Sequence, residues 1–183
     1  MTTTPPLSQL TPVEQKFVLH WGEMGTRWGI NRTEAQIHAL LMLSPKPLNA
    51  EQIQETLGVA RSNVSNSLRE LQNWGVIKLV HLPGDRRDHF ESLKDVWEMF
   101  RIVLHERKKR EMDPTLALLR DCVQEASRSE APGGYTEQRL RELQNFFETI
   151  SGWYQQAHAL PPEAVGKVAR MGDKALKLLG LKN

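Results

Sequence analysis

A segment of about four helical turns combines inward-facing apolar positions with polar side chains suited to nucleic-acid contacts. Residues 61–74, RSNVSNSLRELQNW, set Val64, Leu68 and Leu71 on one face of a helix. The opposite face carries hydroxyl, amide and guanidinium groups, at Arg61, Ser62, Asn63, Ser65, Asn66 and Arg69. Small hydroxyl and amide side chains let a backbone approach DNA and bond to phosphates or base edges, and arginines add positive charge. This face is therefore predicted to bind DNA.

A second set of charges follows in the turn PGDRRD, where Arg86 and Arg87 stand between Asp85 and Asp88. The runs on either side, 76–82 (VIKLVHL) and 89–93, are rich in β-forming or alternating residues and predict a β-hairpin. One arginine at the hairpin tip is expected to point outward to DNA, and the other to form a local ion pair. The residue types leave open which arginine has which role.

The elements before this segment are predicted to be helices that support it. Thr11-Pro12 starts the first helix, Asn31 opens the second, and Asn49 caps a short third helix that closes at Leu57-Gly58. Only a few residues then precede Arg61. The order of three helices, a tight turn, a fourth helix and a hairpin is that of a winged helix-turn-helix, whose fourth helix enters the major groove.

The remainder of the chain is predicted to be helical. A long helix from Asp95 is interrupted at Asp113-Pro114, and residues 127–134 form a linker. Thr136 then caps a helix, and a last helix covers about 162–179. The next-to-last helix carries apolar residues at alternating steps of three and four, a pattern typical of helix pairing, at Leu140, Leu143, Phe147, Ile150 and Tyr154.

These patterns predict a fold that is mainly α with a small β-hairpin wing, a winged helix-turn-helix plus a helical dimerisation region. We assign the DNA-binding domain to residues 11–93 and a helical dimerisation and effector region to residues 94–183. The first helix, with its stripe of Phe17, Trp21, Met24 and Trp28, is a candidate to join the dimer interface.

Composition excludes several other classes of protein. A formal net charge of +2 means that DNA affinity must come from local clusters. No apolar run approaches the roughly 18 residues that span a bilayer, and no export signal is visible, so we expect a cytoplasmic protein without membrane contact. No phosphate-binding glycine loop or catalytic motif is present, and we expect neither enzyme activity nor a cofactor.

Three further features have structural explanations that compete with functional ones. The six histidines lack metal-ligand spacing, so no metal site is predicted, and Cys122 is expected to be a buried structural thiol. The run Arg107 to Arg110 fits a solvated helix end better than a phosphate contact. Five aromatic residues form either a cage for a quaternary ammonium effector or part of the core: Trp21, Trp28, Phe90, Trp97 and Phe100.

Three segments of this chain, GVARSNVSNSLREL, GDRRDHFE and DVWEMF, resemble the GbsR branch of the MarR-type regulators. The resemblance extends over roughly the first two thirds of the chain. It implies a homodimeric repressor or activator of transcription whose terminal helices pair, with some relatives sensing choline-like osmoprotectants. Related recognition helices commonly carry a serine or threonine cap where this chain has Ala60, which leaves the cap absent or shifted to Ser62.

The leading hypothesis is a dimeric regulator of transcription, a repressor that responds to a small-molecule effector, with double-stranded DNA as its partner. By resemblance the effector is choline-like. Two alternatives stay open. A ligand-independent architectural DNA binder would not be released from DNA by any effector, and a winged-helix protein-interaction module would not bind DNA even at low salt.

Overall fold

The computed structural model describes residues 10–128, 133–159 and 164. The chain divides into two compact units, residues 1–102 and 103–183. The first contains four helices and three short strands: α1 (Pro12–Arg27), α2 (Arg32–Leu43), β1 (Leu48–Asn49), α3 (Ala50–Leu57), α4 (Arg61–Asn73), β2 (Ile77–Val80) and β3 (His89–Ser92). Helix α5 (Val96–Arg107) crosses the division, and α6 (Asp113–Ser127) and α7 (Tyr135–His158) follow.

Side-chain caps fix the starts of the first three helices. Thr11 and Glu14 form a reciprocal capping box at α1, and Asn49 and Gln52 form another at α3. Asn31 accepts hydrogen bonds from the first turn of α2. All three predicted caps are confirmed, and each satisfies backbone N–H groups that a helix start leaves without partners.

Helix α4 begins differently. Ala60 occupies its N-cap position with extended backbone, and no side chain caps the helix. The expectation of a cap at Ser62 is wrong because the helix already begins at Arg61, so Ser62 lies inside its first turn.

Glycines allow α1 and α2 to approach closely. A Cβ atom at Gly25 would lie 2.4 Å from the Cβ of Ala35, and one at Gly22 would lie 2.6 Å from the Cγ of Gln36. Behind this contact lies the core of the first unit. Its most deeply buried large side chains come from four helices: Val18, Ile37, Leu41, Ile53 and Val64.

The sheet has three antiparallel strands in the order β1-β3-β2. The predicted hairpin is present as β2 and β3, with Leu79 opposite Phe90 and Ile77 opposite Ser92. Strand β1 was not predicted, because two residues before a helix cap give no alternating pattern. It joins the wing to the start of α3 by pairing Asn49 with His89.

The predicted break at Asp113-Pro114 is wrong. The chain continues from α5 through one wider π-helical turn, Lys108–Met112, directly into α6. Pro114 lacks the N–H that would bond four residues back, and a π turn accommodates that loss without ending the helix. An ion pair between Lys108 and Asp113 spans the junction.

Helices α6 and α7 form an antiparallel pair, since Ser127 bonds to Glu137 and Arg120 to Glu148. Glu137 is buried and also accepts from the Gly133 backbone and from Arg141. These hydrogen bonds lower the pKa of the Glu137 carboxyl, the Gly133 N–H contributing most. The cap expected at Thr136 is wrong, since α7 starts at Tyr135. Residues 129–132 of the predicted linker and nearly all of the predicted last helix lie outside the described residues.

Candidate nucleic-acid interface

The predicted DNA-binding residues of α4 share one exposed face. Val64, Ser67, Leu68 and Leu71 point into the core, and the polar positions between them are exposed. Six predicted residues lie on this exposed face: Arg61, Ser62, Asn63, Ser65, Asn66 and Arg69. The core packing therefore fixes which side of α4 meets a partner.

The start of this face is set by a tight turn after α3. Gly58 adopts a left-handed conformation with φ 65°, which glycine accepts without strain, and α4 begins three residues later. Within α4, the Nη2 of Arg69 donates to the Oδ1 of Asn66 over 3.0 Å. This contact orients the Asn66 amide and leaves the other donors of the Arg69 guanidinium available.

The wing turns through Leu82-Pro83-Gly84-Asp85, where the Asp85 N–H donates to the Leu82 carbonyl over 3.1 Å. A type II turn favours proline at its second position and needs a positive φ, usually of a glycine, at its third. Pro83 and Gly84, which has φ 83°, occupy these two positions. The turn therefore presents Asp85 and the two arginines together at the tip.

The two wing arginines have different surroundings. Arg87 donates to both carboxylate oxygens of Asp85, with its Nη2 2.6 Å from Oδ2. Arg86 is exposed and makes no hydrogen bond or ion pair within the part of the chain that the structure describes. Arg87 is therefore the arginine held by a local ion pair, and Arg86 is the outward one.

Asp85 is the centre of the wing's charge network. The Arg87 side chain contributes most to lowering the pKa of the Asp85 carboxyl far below its usual range, and Asp85 in turn raises that of Arg87. His89, buried on β3, lies 3.6 Å from Asp85 through Nε2, and its Nδ1 donates to the Arg87 carbonyl over 2.9 Å. Side chain and backbone at the tip are thus both tied to the sheet.

A groove of about 330 Å³ lies between α4 and the wing. It is lined by side chains of α3, α4 and the wing, among them Glu51, Arg61, Ser65, Arg69 and Arg87. Glu51 was missed as a site residue. An acidic residue in the first turn of a helix is common, because it interacts favourably with the helix dipole, so Glu51 did not stand out in the sequence. Only the fold shows that the Glu51 carboxylate accepts from Nη1 of Arg87 over 3.2 Å.

The aromatic residues proposed for an effector cage lie on three elements. Trp21 and Trp28 on α1 meet edge to face at 5.7 Å, and Trp97 and Phe100 on α5 do so at 6.3 Å. Phe90 is buried in the sheet beneath the groove. Ring contacts among these five residues therefore form two separate pairs, and Phe90 is a core residue of the wing.

The remaining candidates have local structural roles. Arg107 and Arg110 form ion pairs with glutamates one turn away on the same helical stretch, as a solvated helix end does. Cys122 is half-buried, in contrast to the full burial expected. Across the described residues, no group of three metal-ligating side chains comes together, and no helix is long and apolar enough to span a membrane.

Comparisons with known proteins agree with this arrangement. A sequence model of the MarR family matches residues 28–88, which run from the end of α1 to the wing tip. A putative HTH-type transcriptional regulator, YvaV of Bacillus subtilis (strain 168), is 22% identical over 95 residues. That alignment covers 52% of this chain, which spans about half (54%) of the relative's length.

A crystal structure of a transcriptional regulator has the same fold, with a TM-score of 0.65 and 21% sequence identity. The match covers 87% of this chain and 99% of that one. The predicted fold class is thereby confirmed: a mainly helical chain with a winged helix-turn-helix. The division of function between residues 11–93 and 94–183 stays a prediction.

Proposed function

We propose that this chain is a winged-helix transcriptional regulator of the MarR type, which binds double-stranded DNA as a homodimer and represses transcription until a small molecule releases it. One observation carries the DNA-binding proposal. The exposed face of α4 consists of small polar and basic side chains, and it borders a wing whose Arg86 is exposed and unpaired among the described residues. Such a surface suits the major groove and the adjoining backbone.

The side chains divide into two kinds of DNA contact. Asn66 and Ser65 lie at mid-helix and can bond to base edges, because an amide or hydroxyl both donates and accepts. Arg61 at the start of α4 and Arg86 at the wing tip add charge for phosphates. Asn66 therefore contributes to sequence preference, and Arg86 to affinity for any duplex.

Recovery of bound genomic fragments followed by footprinting gives the operator and tests this proposal. Asn66→Ala is expected to weaken operator binding by about 1–3 kcal/mol and to relax the preference at one position. Arg86→Ala is expected to weaken all sequences alike and to reduce the salt slope by about one. Arg120→Ala is the charge control, because that arginine pairs with Glu148 on α7.

Unchanged affinity in Arg61→Ala, Asn66→Ala and Arg86→Ala alike would contradict DNA recognition by this face. If the intact protein binds no duplex even at low salt, a protein-interaction module is favoured instead.

The dimer proposal is supported by uncovered apolar side chains on α7. Phe146 and Trp153 are 57% and 68% exposed, and Leu143 is exposed on the same stripe. Helix α6 covers part of the predicted seam, so the uncovered stripe of Leu143, Phe146 and Trp153 is the better interface. A two-fold dimer would also present two recognition helices to two half-sites about one helical turn apart, or a multiple of it.

The effector proposal follows the resemblance to the GbsR branch and is supported by one aromatic pair. Trp97 and Phe100 remain 39% and 45% exposed. They lie in the first turns of α5, which begins three residues after Leu93 at the end of the wing. A choline-like cation held against these rings would gain about 0.5–2 kcal/mol per contact. It would release DNA only by binding better to the state with displaced recognition helices.

Calorimetric titration with choline and with glycine betaine, on the intact protein and on Trp97→Ala, tests the effector. Heat that is lost in Trp97→Ala is expected. Absence of heat with both compounds on the intact protein would leave Trp97 and Phe100 as candidate interface residues, and operator binding unaffected by any ligand would favour an architectural DNA binder.

A further inference from the structure

One ion pair joins the wing tip to the first helix of the helix-turn-helix. Arg87 and Glu51 are 36 residues apart in the chain, and the Nη1 of Arg87 lies 3.2 Å from a carboxylate oxygen of Glu51. Both side chains are more than half exposed, at 54% and 58%. Among the described residues, no other side-chain bond links the charged wing tip to α3. The pair lies at the edge of the groove between the wing and α4.

Two other guanidinium nitrogens of Arg87 bond within the wing. Nε and Nη2 both bond to Asp85, and the Arg87 carbonyl accepts from buried His89. The bond to Glu51 therefore engages the one remaining guanidinium nitrogen. It also places a carboxylate beside a face otherwise suited to phosphates.

We propose that Glu51 is a specificity-determining residue, which holds the wing at a fixed distance from the recognition helix through Arg87 and keeps that arginine from binding phosphates of any sequence. This inference rests on the proposed DNA binding. Helix α3 packs against α4, so a wing tied to α3 is also held relative to the bases that α4 reads.

Two consequences act in the same direction. A fixed wing lets Arg86 reach the backbone only when α4 is in register with its bases, which favours the operator. A neutralised Arg87 contributes little to sequence-independent binding, which is driven by free positive charge. Specificity is the difference between the two affinities, so both effects raise it.

Glu51→Gln tests the proposal, with Glu55→Gln as its matched control. Glu55 is exposed on the same helix, and none of the described residues pairs with it. Both variants remove one negative charge. The measurement is the ratio of affinities for the footprinted operator fragment and for a random duplex of equal length, at low and at high salt.

Glu51→Gln is expected to lower this ratio by about two- to five-fold, the range of an exposed ion pair, whereas Glu55→Gln leaves it unchanged. The effect should shrink at high salt because both groups are exposed. In an Arg87→Ala background, Glu51→Gln should change the ratio no further, since its partner is absent.

Three results would overturn the inference: an unchanged ratio in Glu51→Gln, an equal change in Glu55→Gln, or an effect that persists without Arg87. The intact protein's own binding separates this inference from the proposed function. A protein that binds no DNA contradicts both, whereas normal operator preference with an inert Glu51→Gln contradicts only the role of Glu51.

Discussion

The two units of the molecule bury their apolar side chains to different extents. In residues 10–102, four helices contribute fully enclosed side chains such as Ile37, Leu41 and Ile53. In the described part of the second unit, the buried apolar residues are Leu116, Leu119 and Val123 on α6, while Phe146 and Trp153 on α7 face solvent. The first unit has its own core, whereas the second exposes large apolar side chains on α7, the surface of the proposed dimer.

The largest expected effect concerns that surface. The double substitution Phe146→Ser with Trp153→Ser should convert a dimer to monomer, because burial of each large side chain contributes about 1.5–3 kcal/mol and a two-fold interface contains each residue twice. Light scattering over a range of concentrations measures the change. Leu79→Ser, which removes an exposed apolar side chain from the wing of the first unit, is the control and should leave the dimer intact.

A double variant that is as dimeric as the intact protein would show that the apolar surface of the second unit is not the interface. The comparison between a self-sufficient and a partner-dependent unit would then be wrong.

Acid should weaken the first unit before the second. His38 is buried beside Ser92, and burial lowers its pKa from 6.5 to about 4. Below pH 6.5 the unfolded chain binds a proton at His38, whereas the folded protein does not until the pH approaches 4. The free energy of unfolding therefore decreases as the pH falls from 6.5 towards 4. Between pH 7 and pH 5 the expected loss is about 2 kcal/mol.

Urea unfolding at these two pH values measures the loss, and His38→Gln should remove most of the pH dependence. The change in unfolding free energy between the two pH values is the quantity to compare, because the buried amide of His38→Gln needs a hydrogen-bond partner and so alters stability at pH 7 as well. The lowered carboxyl pKa values of Glu137 and Glu148 affect the second unit only below about pH 4.5, the usual range. An equal acid sensitivity in His38→Gln would contradict this assignment.

The close contact between α1 and α2 gives a smaller effect. Gly25→Ala gains about 1 kcal/mol in helix propensity but brings two Cβ atoms to 2.4 Å, and overpacking costs about 1–3 kcal/mol. A net loss of up to about 2 kcal/mol is expected in denaturant unfolding. Gly152→Ala on α7 is the control, because nothing lies within 4 Å of its added Cβ, and it should stabilise slightly.

If Gly25→Ala stabilises the protein as Gly152→Ala does, the first unit is less tightly packed than the comparison requires.

The sequence predicted those features that depend on local patterns. Helix caps at Thr11, Asn31 and Asn49 and the apolar face of α4 follow from residue type and spacing, and the structure confirms them. The same logic failed at Asp113-Pro114, because a proline ends a helix only if the preceding turn cannot widen. Local rules predict where a helix can stop, but not whether it does.

The candidate site divides in the same way. The exposed residues of α4 were predicted from periodicity alone. Which wing arginine is free depends on the spatial position of Asp85, and the contact of Arg87 with Glu51 joins residues far apart in the chain. Such a contact follows from the tertiary fold and has no signal at either residue.

The smallest effect concerns the one helix start of the first unit that lacks a side-chain cap. Ala60 has the extended backbone of an N-cap but no oxygen to accept from the first turn of α4. Ala60→Thr should therefore be more stable than Ala60→Val by about 0.5–2 kcal/mol, since the two side chains have the same shape and only threonine can accept that hydrogen bond. Thermal unfolding of both variants measures the difference. Equal stabilities would mean that the first N–H groups of α4 already have adequate partners in water, and that the missing cap costs this helix nothing.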